Sequence, residues 1–135
     1  MIYLSKTLTF SASHRIYNPN LSDEDNQRIF KNCANPHGHG HNFTLEVVVR
    51  GKINPDTGYV IDLKDLKQII QKEIIDLVDH KNLNIDVKEL NGIIPTSENL
   101  LMVFWKLLDG KIPNTKLHKL KLFEGPNSSV EYYGN

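Results

Sequence analysis

Residues 39–53 read HGHNFTLEVVVRGKI, and apolar and polar side chains alternate along this stretch. One parity carries the apolar residues Phe43, Leu45, Val47 and Val49, and the other carries Asn42, Thr44, Glu46 and Arg50. A period of two is typical of a β-strand with one buried face. His39 and His41 share the parity of the apolar set, so their imidazoles are expected on the buried side, about 7 Å apart.

A second alternating stretch occupies residues 2–13. Its apolar members are Ile2, Leu4, Leu8, Phe10 and Ala12, and His14 continues that series. Both predicted strands therefore carry imidazoles on a buried face, at the ends that flank the polar segment 15–38. Buried imidazoles need partners, and a shared metal ion satisfies all three. His14, His39 and His41 would leave the fourth position of tetrahedral zinc open, as in a catalytic site.

A simpler interpretation of this motif exists, because an isolated His-Gly-His is more often part of a loop than a ligand pair. His37 adds an ambiguity, since His37 and His39 have the same spacing and parity as His39 and His41. The later pair is preferred because Pro36 and Gly38 disfavour a strand that runs through residue 37.

Two longer helices are predicted in the second half of the chain. Asp62 is placed to cap the first, whose apolar stripe consists of Leu63, Leu66, Ile70, Ile74 and Leu77. Pro95-Thr96-Ser97 opens the second, whose stripe consists of Leu100, Val103, Phe104, Leu107 and Leu108. A short helix is expected near residues 23–31 within the polar segment. A connection as long as 15–38 in a compact domain is usually functional.

Two more strands are predicted at residues 116–124 and 128–133, joined at Gly125-Pro126-Asn127. The order strand, strand, helix, helix, strand, strand predicts one α+β domain over residues 1–135. Its sheet would have four antiparallel strands with two helices on one face. Such a sheet has two edges that must be protected, which favours an oligomer joined through them.

Composition excludes several classes of protein. Lysine plus arginine equals aspartate plus glutamate at 16 each, so no net positive field attracts nucleic acid or an anionic membrane. No apolar run approaches the roughly 20 residues of a membrane span, and the first residues alternate instead of forming a signal-peptide block. We therefore expect a cytoplasmic protein. The single cysteine, Cys33, has no intrachain disulfide partner, and a lone cysteine is usually a small buried side chain.

Five motifs occur in order along the chain: FSASHR at 10–15, CANPHGHGHNF at 33–43, DHKNL at 79–83, PTSEN at 95–99, and Glu124. Together they make the sequence resemble the 6-pyruvoyltetrahydropterin synthase and 6-carboxytetrahydropterin synthase family over essentially its whole length. Members of that family adopt the tunnelling fold, or T-fold. Three subunits join their sheets into a barrel, and two trimers stack as a hexamer. The resemblance therefore implies a homohexamer, which would cover the sheet edges.

The resemblance also implies a set of site residues. By position, it assigns zinc ligands at His14, His39 and His41, a catalytic thiol at Cys33, acid–base partners at Asp79 and His80, a carboxylate that anchors the pterin ring at Glu124, and a pair beside that ring at Thr96 and Ser97. The departure from the family pattern is His37, which adds an imidazole near the site.

These roles agree with elementary chemistry. Zinc acts as a Lewis acid on a side-chain hydroxyl, and a thiolate near zinc or histidine can serve as the base. Glu124 shares a face with Leu120 and Leu122, where a carboxylate needs a partner such as the amino edge of a pterin. The simpler alternatives are a water-exposed strand end for Glu124 and, for Asp79-His80, an ordinary helix C-terminus.

The expected reaction converts 7,8-dihydroneopterin triphosphate to 6-pyruvoyltetrahydropterin with elimination of triphosphate. The alternative is 6-carboxytetrahydropterin synthase of queuosine biosynthesis, which acts on the same substrate. Five residues, Ala34 to Gly38, separate Cys33 from the His-Gly-His, a spacing that resembles the pyruvoyl type. A non-catalytic zinc or pterin-binding module is a third hypothesis. It is disfavoured by the joint presence of Cys33, Asp79 and His80, which a binder does not need.

Overall fold

A long antiparallel hairpin forms the centre of the computed structural model, which describes residues 1–135. Strand β1 spans Ile2–His14 and strand β2 spans His39–Gly51. Their ladder runs without interruption from Ile2 opposite Gly51 to His14 opposite His39. The buried residues of both strands are those of the predicted apolar parity, so the register places one apolar face against the core. The stacked rings of Phe10 and Phe43, with centroids 4.8 Å apart, pack at its centre.

The sheet has five strands, in the order β3 (Lys81–Asn82), β1, β2, β4 (Lys116–Glu124) and β5 (Ser129–Tyr132). Strand β4, Lys116–Glu124, pairs antiparallel with β2, and β5, Ser129–Tyr132, pairs antiparallel with β4. The expected count of four strands is wrong because Lys81–Asn82 adds a short strand, β3, parallel to β1. Two residues carry too little pattern to be recognised as a strand in sequence. Residues 2–10 of β1 have no strand partner on their outer edge.

The helices occupy one face of this sheet. Helix α2, Leu63–Ile70, begins at the predicted cap Asp62 and continues through a π-helical turn, Gln71–Ile75, into α3, Asp76–Val78. The π turn absorbs an additional residue, so that adjacent Ile74 and Ile75 are both buried. Helix α4, Ser97–Leu108, has Thr96 as its N-cap.

The connection between β1 and β2 contains its own short helices. Helix α1 spans Asp23–Phe30, with Ser22 as its N-cap, and a 3₁₀ turn follows at Lys31–Ala34. The buried amide of Asn26 bonds the backbone of residues 18, 21 and 22, which anchors α1 to the preceding loop. A second 3₁₀ turn, Lys88–Leu90, precedes α4. The segment predicted as a functional loop is thus ordered by local hydrogen bonds.

One apolar core lies between the sheet and the helices. Its largest fully buried side chains include Phe43, Leu45, Leu66, Ile70, Phe104 and Leu122, which come from β2, α2, α4 and β4. The predicted α+β layering, with helices on one face, is confirmed. None of the helices is both long and apolar enough to span a bilayer.

Candidate metal centre and active site

His14 is the most deeply placed of the predicted ligands, with 1% of its surface exposed at the end of β1. Its Nδ1 lies 2.8 Å from the carbonyl oxygen of Pro95, just before α4. A carbonyl can only accept, so Nδ1 carries the proton and the lone pair of a neutral ring is on Nε2. Metal-binding histidines are commonly held in this way by a backbone carbonyl.

His39 and His41 join His14 through the β1–β2 register. His39 lies directly opposite His14, and His41 lies opposite Ala12 on the same face of the sheet. The ring centroids of His14 are 4.8 Å from His39 and 5.2 Å from His41, and the latter two are 4.8 Å apart. The parity argument is therefore confirmed, and these three imidazoles are called the histidine cluster below.

Glu124, at the end of β4, is next to the histidine cluster. It pairs with Phe43 in the β2–β4 ladder, and its Oε1 lies 2.9 Å from His41 Nε2 and 3.8 Å from His14 Nε2. These close contacts lack hydrogen-bond geometry, so both Nε2 atoms are buried without a hydrogen-bond partner. The donor atoms of the cluster and Glu124 all lie within 4.8 Å of one another. Unpartnered nitrogens that converge beside a carboxylate are suited to a divalent metal.

Electrostatics favour the neutral form of His14 and His39, which is the form that can bind a metal. Burial is the main cause that lowers the pKa of His14, although the Pro95 carbonyl and Glu124 oppose it. Burial also lowers the pKa of His39, with a further contribution from His41. Because ligands must be deprotonated to bind a metal, these shifts keep lone pairs available at neutral pH.

Gly38 sets where β2 begins. It has φ of +72°, and a Cβ at this position would lie 2.9 Å from the carbonyl oxygen of His14. Only glycine allows this turn to approach β1 so closely. The strand starts at His39, and His37 is exposed outside the group of potential ligands. The preference for the His39–His41 pair over His37–His39 agrees with this geometry.

Asp79 and His80 are fixed to the edge of β1 at Ser11. The Ser11 N–H donates to Asp79 Oδ1 at 2.9 Å, and the His80 N–H donates to the Ser11 carbonyl at 2.6 Å. The Ser11 bond is the main cause that lowers the pKa of Asp79, and His80 adds to it. His80 Nδ1 lies 3.0 Å from Asp79 Oδ1. His80 has φ of +61°, a rare conformation for a side chain of this size, and such strain clusters at functional sites.

Cys33 lies in the 3₁₀ turn and is exposed, contrary to the usual burial of a lone cysteine. Its carbonyl accepts the Ile16 N–H at 2.8 Å, but its thiol makes no hydrogen bond with Asp79 or His80. The His80 side chain is 82% exposed. A single chain therefore brings the histidine cluster and Glu124 together but does not bring the thiol into contact with the Asp79–His80 pair.

Thr96 and Ser97 have different roles in the structure. The Thr96 hydroxyl accepts the Asn99 N–H and caps α4. The Ser97 hydroxyl is buried and donates to Glu124 Oε2 at 2.6 Å. Sequence reasoning missed the Ser97–Glu124 bond and the bond between His14 and the Pro95 carbonyl, since in each bond the two partners are far apart in sequence. The PTSEN motif marks their segment but does not indicate which atoms bond.

Comparison with known proteins identifies the family of this chain. A sequence model described as 6-pyruvoyl tetrahydropterin synthase matches residues 3–135. The chain belongs to the 6-pyruvoyl tetrahydropterin synthase family. Similar proteins include the 6-pyruvoyl tetrahydrobiopterin synthases of Pongo abelii and Homo sapiens, which are 44% and 43% identical over 131 residues. These alignments cover 97% of this chain and 90% of each relative.

A solved structure of 6-pyruvoyl tetrahydropterin synthase from Caenorhabditis elegans superposes with a TM-score of 0.92 at 34% identity. The superposition covers 99% of this chain and 96% of the worm protein. The chain is thus a lyase of the 6-pyruvoyl tetrahydropterin synthase family with that family's α+β fold. The histidine cluster and Glu124 form its candidate metal centre.

Proposed function

We propose that this protein converts 7,8-dihydroneopterin triphosphate to 6-pyruvoyltetrahydropterin, eliminating triphosphate without an external redox cofactor. The observation that carries the proposal is the histidine cluster, with two buried Nε2 atoms that lack a hydrogen-bond partner. This arrangement is costly unless a metal is bound. The family membership supplies the substrate class.

The proposed metal is zinc, held by His14, His39 and His41. Three imidazole nitrogens suit zinc and leave one position for substrate, which matches a catalytic site better than a structural one. When bound, zinc would polarise a hydroxyl of the substrate side chain as a Lewis acid. The Pro95 carbonyl would keep His14 in the ligating tautomer, and Gly38 would keep His39 opposite it.

Glu124 is proposed to anchor the pterin ring. Ser97 occupies its Oε2, while Oε1 has no hydrogen-bond donor and faces the histidine cluster. A pterin offers an amino group and a ring N–H on one edge, which a carboxylate can accept as charge-assisted hydrogen bonds. Thr96 would lie beside the ring and hold the start of α4 as its cap.

Cys33, Asp79 and His80 are proposed to move protons on the substrate side chain. The thiolate would remove a proton from carbon, and the Asp79–His80 pair would relay or return it. His80 extends into solvent and does not contact the thiol of its own chain. This geometry supports an active site shared between subunits. The open outer edges of β1 and β5 supply surfaces for the trimeric barrel, two of which would stack as a hexamer.

The decisive experiment identifies the product. Zinc-loaded protein is incubated with 7,8-dihydroneopterin triphosphate, and the pterin is analysed by mass spectrometry. We expect 6-pyruvoyltetrahydropterin and one inorganic triphosphate per turnover, and a matched Cys33→Ala sample controls for spontaneous loss. A side chain shortened to a carboxylate would instead assign the queuosine-type reaction. Unchanged substrate would contradict both.

A further inference from the structure

Arg15 joins the end of β1 to the turn that carries Cys33. Its Nε donates to the Ala34 carbonyl at 2.8 Å, and the neighbouring Ile16 N–H donates to the Cys33 carbonyl at 2.8 Å. Two successive carbonyls of the turn are thus bound by two successive residues of the chain after His14. This pairing fixes both the position and the rotation of the turn.

The Arg15 guanidinium is itself held in place. Its central carbon lies 3.8 Å from the centroid of the Tyr17 ring, in cation–π geometry. Its backbone is bound on both sides by Asn84, whose Oδ1 accepts the Arg15 N–H at 2.7 Å and whose Nδ2 donates to the Arg15 carbonyl at 2.9 Å. A preorganised guanidinium loses little entropy in making its bond to Ala34.

The other end of the turn is also attached to β1. Gly38 lies so close to β1 that a Cβ on it would be 2.9 Å from the His14 carbonyl oxygen, and its N–H donates to the Asn35 carbonyl at 2.9 Å. The segment between Cys33 and Gly38 therefore meets the end of β1 at two points, one at Arg15 and Ile16 and the other at the carbonyl of His14, the proposed metal ligand. Of these two attachments, only the one through Arg15 is made by a side chain.

No carboxylate neutralises Arg15, because it takes part in none of the ion pairs of the chain. Its charge could therefore serve a second purpose as a binding group for the anionic triphosphate. The two roles differ in what they require. A phosphate-binding arginine acts through its charge and affects substrate binding, whereas a positioning arginine acts through the direction of its Nε–H.

We propose that Arg15 is a positioning residue that holds the Cys33 turn at a fixed place relative to the histidine cluster. The inference rests on the proposed function, in which the Cys33 thiol acts on a substrate bound at that cluster. A displacement of about 1 Å of a reacting group can lower turnover by about 10²-fold. The Nε–H bond to the Ala34 carbonyl, at 2.8 Å, would have to break or stretch for such a displacement to occur.

The test compares Arg15→Met with Arg28→Met. Methionine keeps an unbranched apolar stem over Tyr17 but has no donor, and Arg28 is an exposed arginine paired only with Asp25. We expect Arg15→Met to lower kcat by about 10- to 100-fold while KM changes less than about threefold and zinc content is unchanged. Arg28→Met should match wild type. A rise in KM with unchanged kcat would overturn the proposal and assign Arg15 to the triphosphate.

A second readout does not depend on activity. Cys33 is the single cysteine, so a nitroxide label can be attached there alone, and its paramagnetic resonance spectrum reports the mobility of the turn. Arg15→Met should sharpen the spectrum, and Tyr17→Leu, which removes only the ring behind the guanidinium, should sharpen it less. Unchanged spectra in both variants would overturn the inference even if Cys33 proves essential. An active Cys33→Ala enzyme would instead overturn the proposed role of the thiol.

Discussion

The Pro95 carbonyl oxygen and His14 Nδ1 are 2.8 Å apart, although 80 residues of chain separate them in sequence. This bond connects the start of α4 to the end of β1 and directs His14 Nε2 toward the other imidazoles. The same segment supplies Ser97, which bonds Glu124. The start of α4 therefore orients both the candidate metal ligand and the candidate substrate-binding carboxylate.

The metal assignment predicts about one zinc per chain. His14→Ala, His39→Ala and His41→Ala should each lose it, because each change removes one of the three proposed ligands and leaves only two imidazoles. His37→Ala is the matched control and should keep its metal. Elemental analysis of purified variants checks this, and a His37→Ala protein without zinc would contradict the ligand set.

Acidification should destabilise the metal-free protein. Burial lowers the pKa values of His14 and His39 below the usual histidine value of about 6.5, so the unfolded chain binds more protons than the folded one once the pH falls below that value. The contribution of the neutral His14 and His39 side chains to the free energy of unfolding is complete above about pH 6.5. It is lost as the pH falls through their lowered pKa values. Melting temperatures in chelator at pH 7.5 and 5.5 measure it, and His14→Asn should reduce the difference.

Glu124→Ala should weaken pterin binding by roughly 2–3 kcal/mol, the range for charge-assisted hydrogen bonds. Zinc content should be unchanged if the carboxylate binds substrate. Ser97→Ala should have a smaller effect, since it removes only the bond that orients Oε2. Titration of each zinc-loaded variant with a pterin measures affinity. Loss of zinc from Glu124→Ala would show that Glu124 is a fourth metal ligand.

Cys33→Ala should reduce turnover by about 10²–10⁴, the usual contribution of a positioned base, while zinc content and substrate affinity are retained. Steady-state kinetics and elemental analysis on the same preparation measure these quantities. Turnover near the wild-type rate would assign the base to His80. It would also remove the spacing argument for the pyruvoyl product, which depends on the position of Cys33.

The unpartnered edges of the sheet predict a trimer-based assembly, most simply a hexamer. Sedimentation velocity at micromolar concentration should give a mass of about six times 15.5 kDa. Thr7→Pro, which places a proline on the open edge of β1, should reduce the assembly. Wild-type protein that sediments as a monomer would contradict an active site shared between subunits.

Local patterns were sufficient to predict the main elements. Alternation located β1 and β2, and the cap at Asp62 and the Pro95-Thr96-Ser97 segment marked the helix starts. Strand parity also placed His14, His39 and His41 on one face. Two strands that share a buried side can pair only in registers that keep their apolar side chains on that side. The two-residue β3 and the π turn were not predicted, since neither has a periodicity of its own.

The remaining parts of the site depend on register and long-range contacts. The position of Glu124 beside His41 requires the β2–β4 register in which Phe43 pairs with Glu124. No feature of the sequence specifies that pairing. The Pro95 carbonyl and the Arg15 bond to Ala34 involve backbone acceptors, which every residue has, so residue identity does not reveal them.

The β1–β2 ladder also has a consequence for folding. Its nearest partners in sequence are His14 and His39, and its farthest are Ile2 and Gly51. Closing a longer loop costs more chain entropy, by about 0.6 kcal/mol for each doubling of its length. Pairing that starts at the histidine end and proceeds toward Ile2 and Gly51 therefore meets the smallest initial barrier. In kinetic terms, the histidine end is favoured as the place where the hairpin nucleates, and the apolar core can then form as the two strands pair.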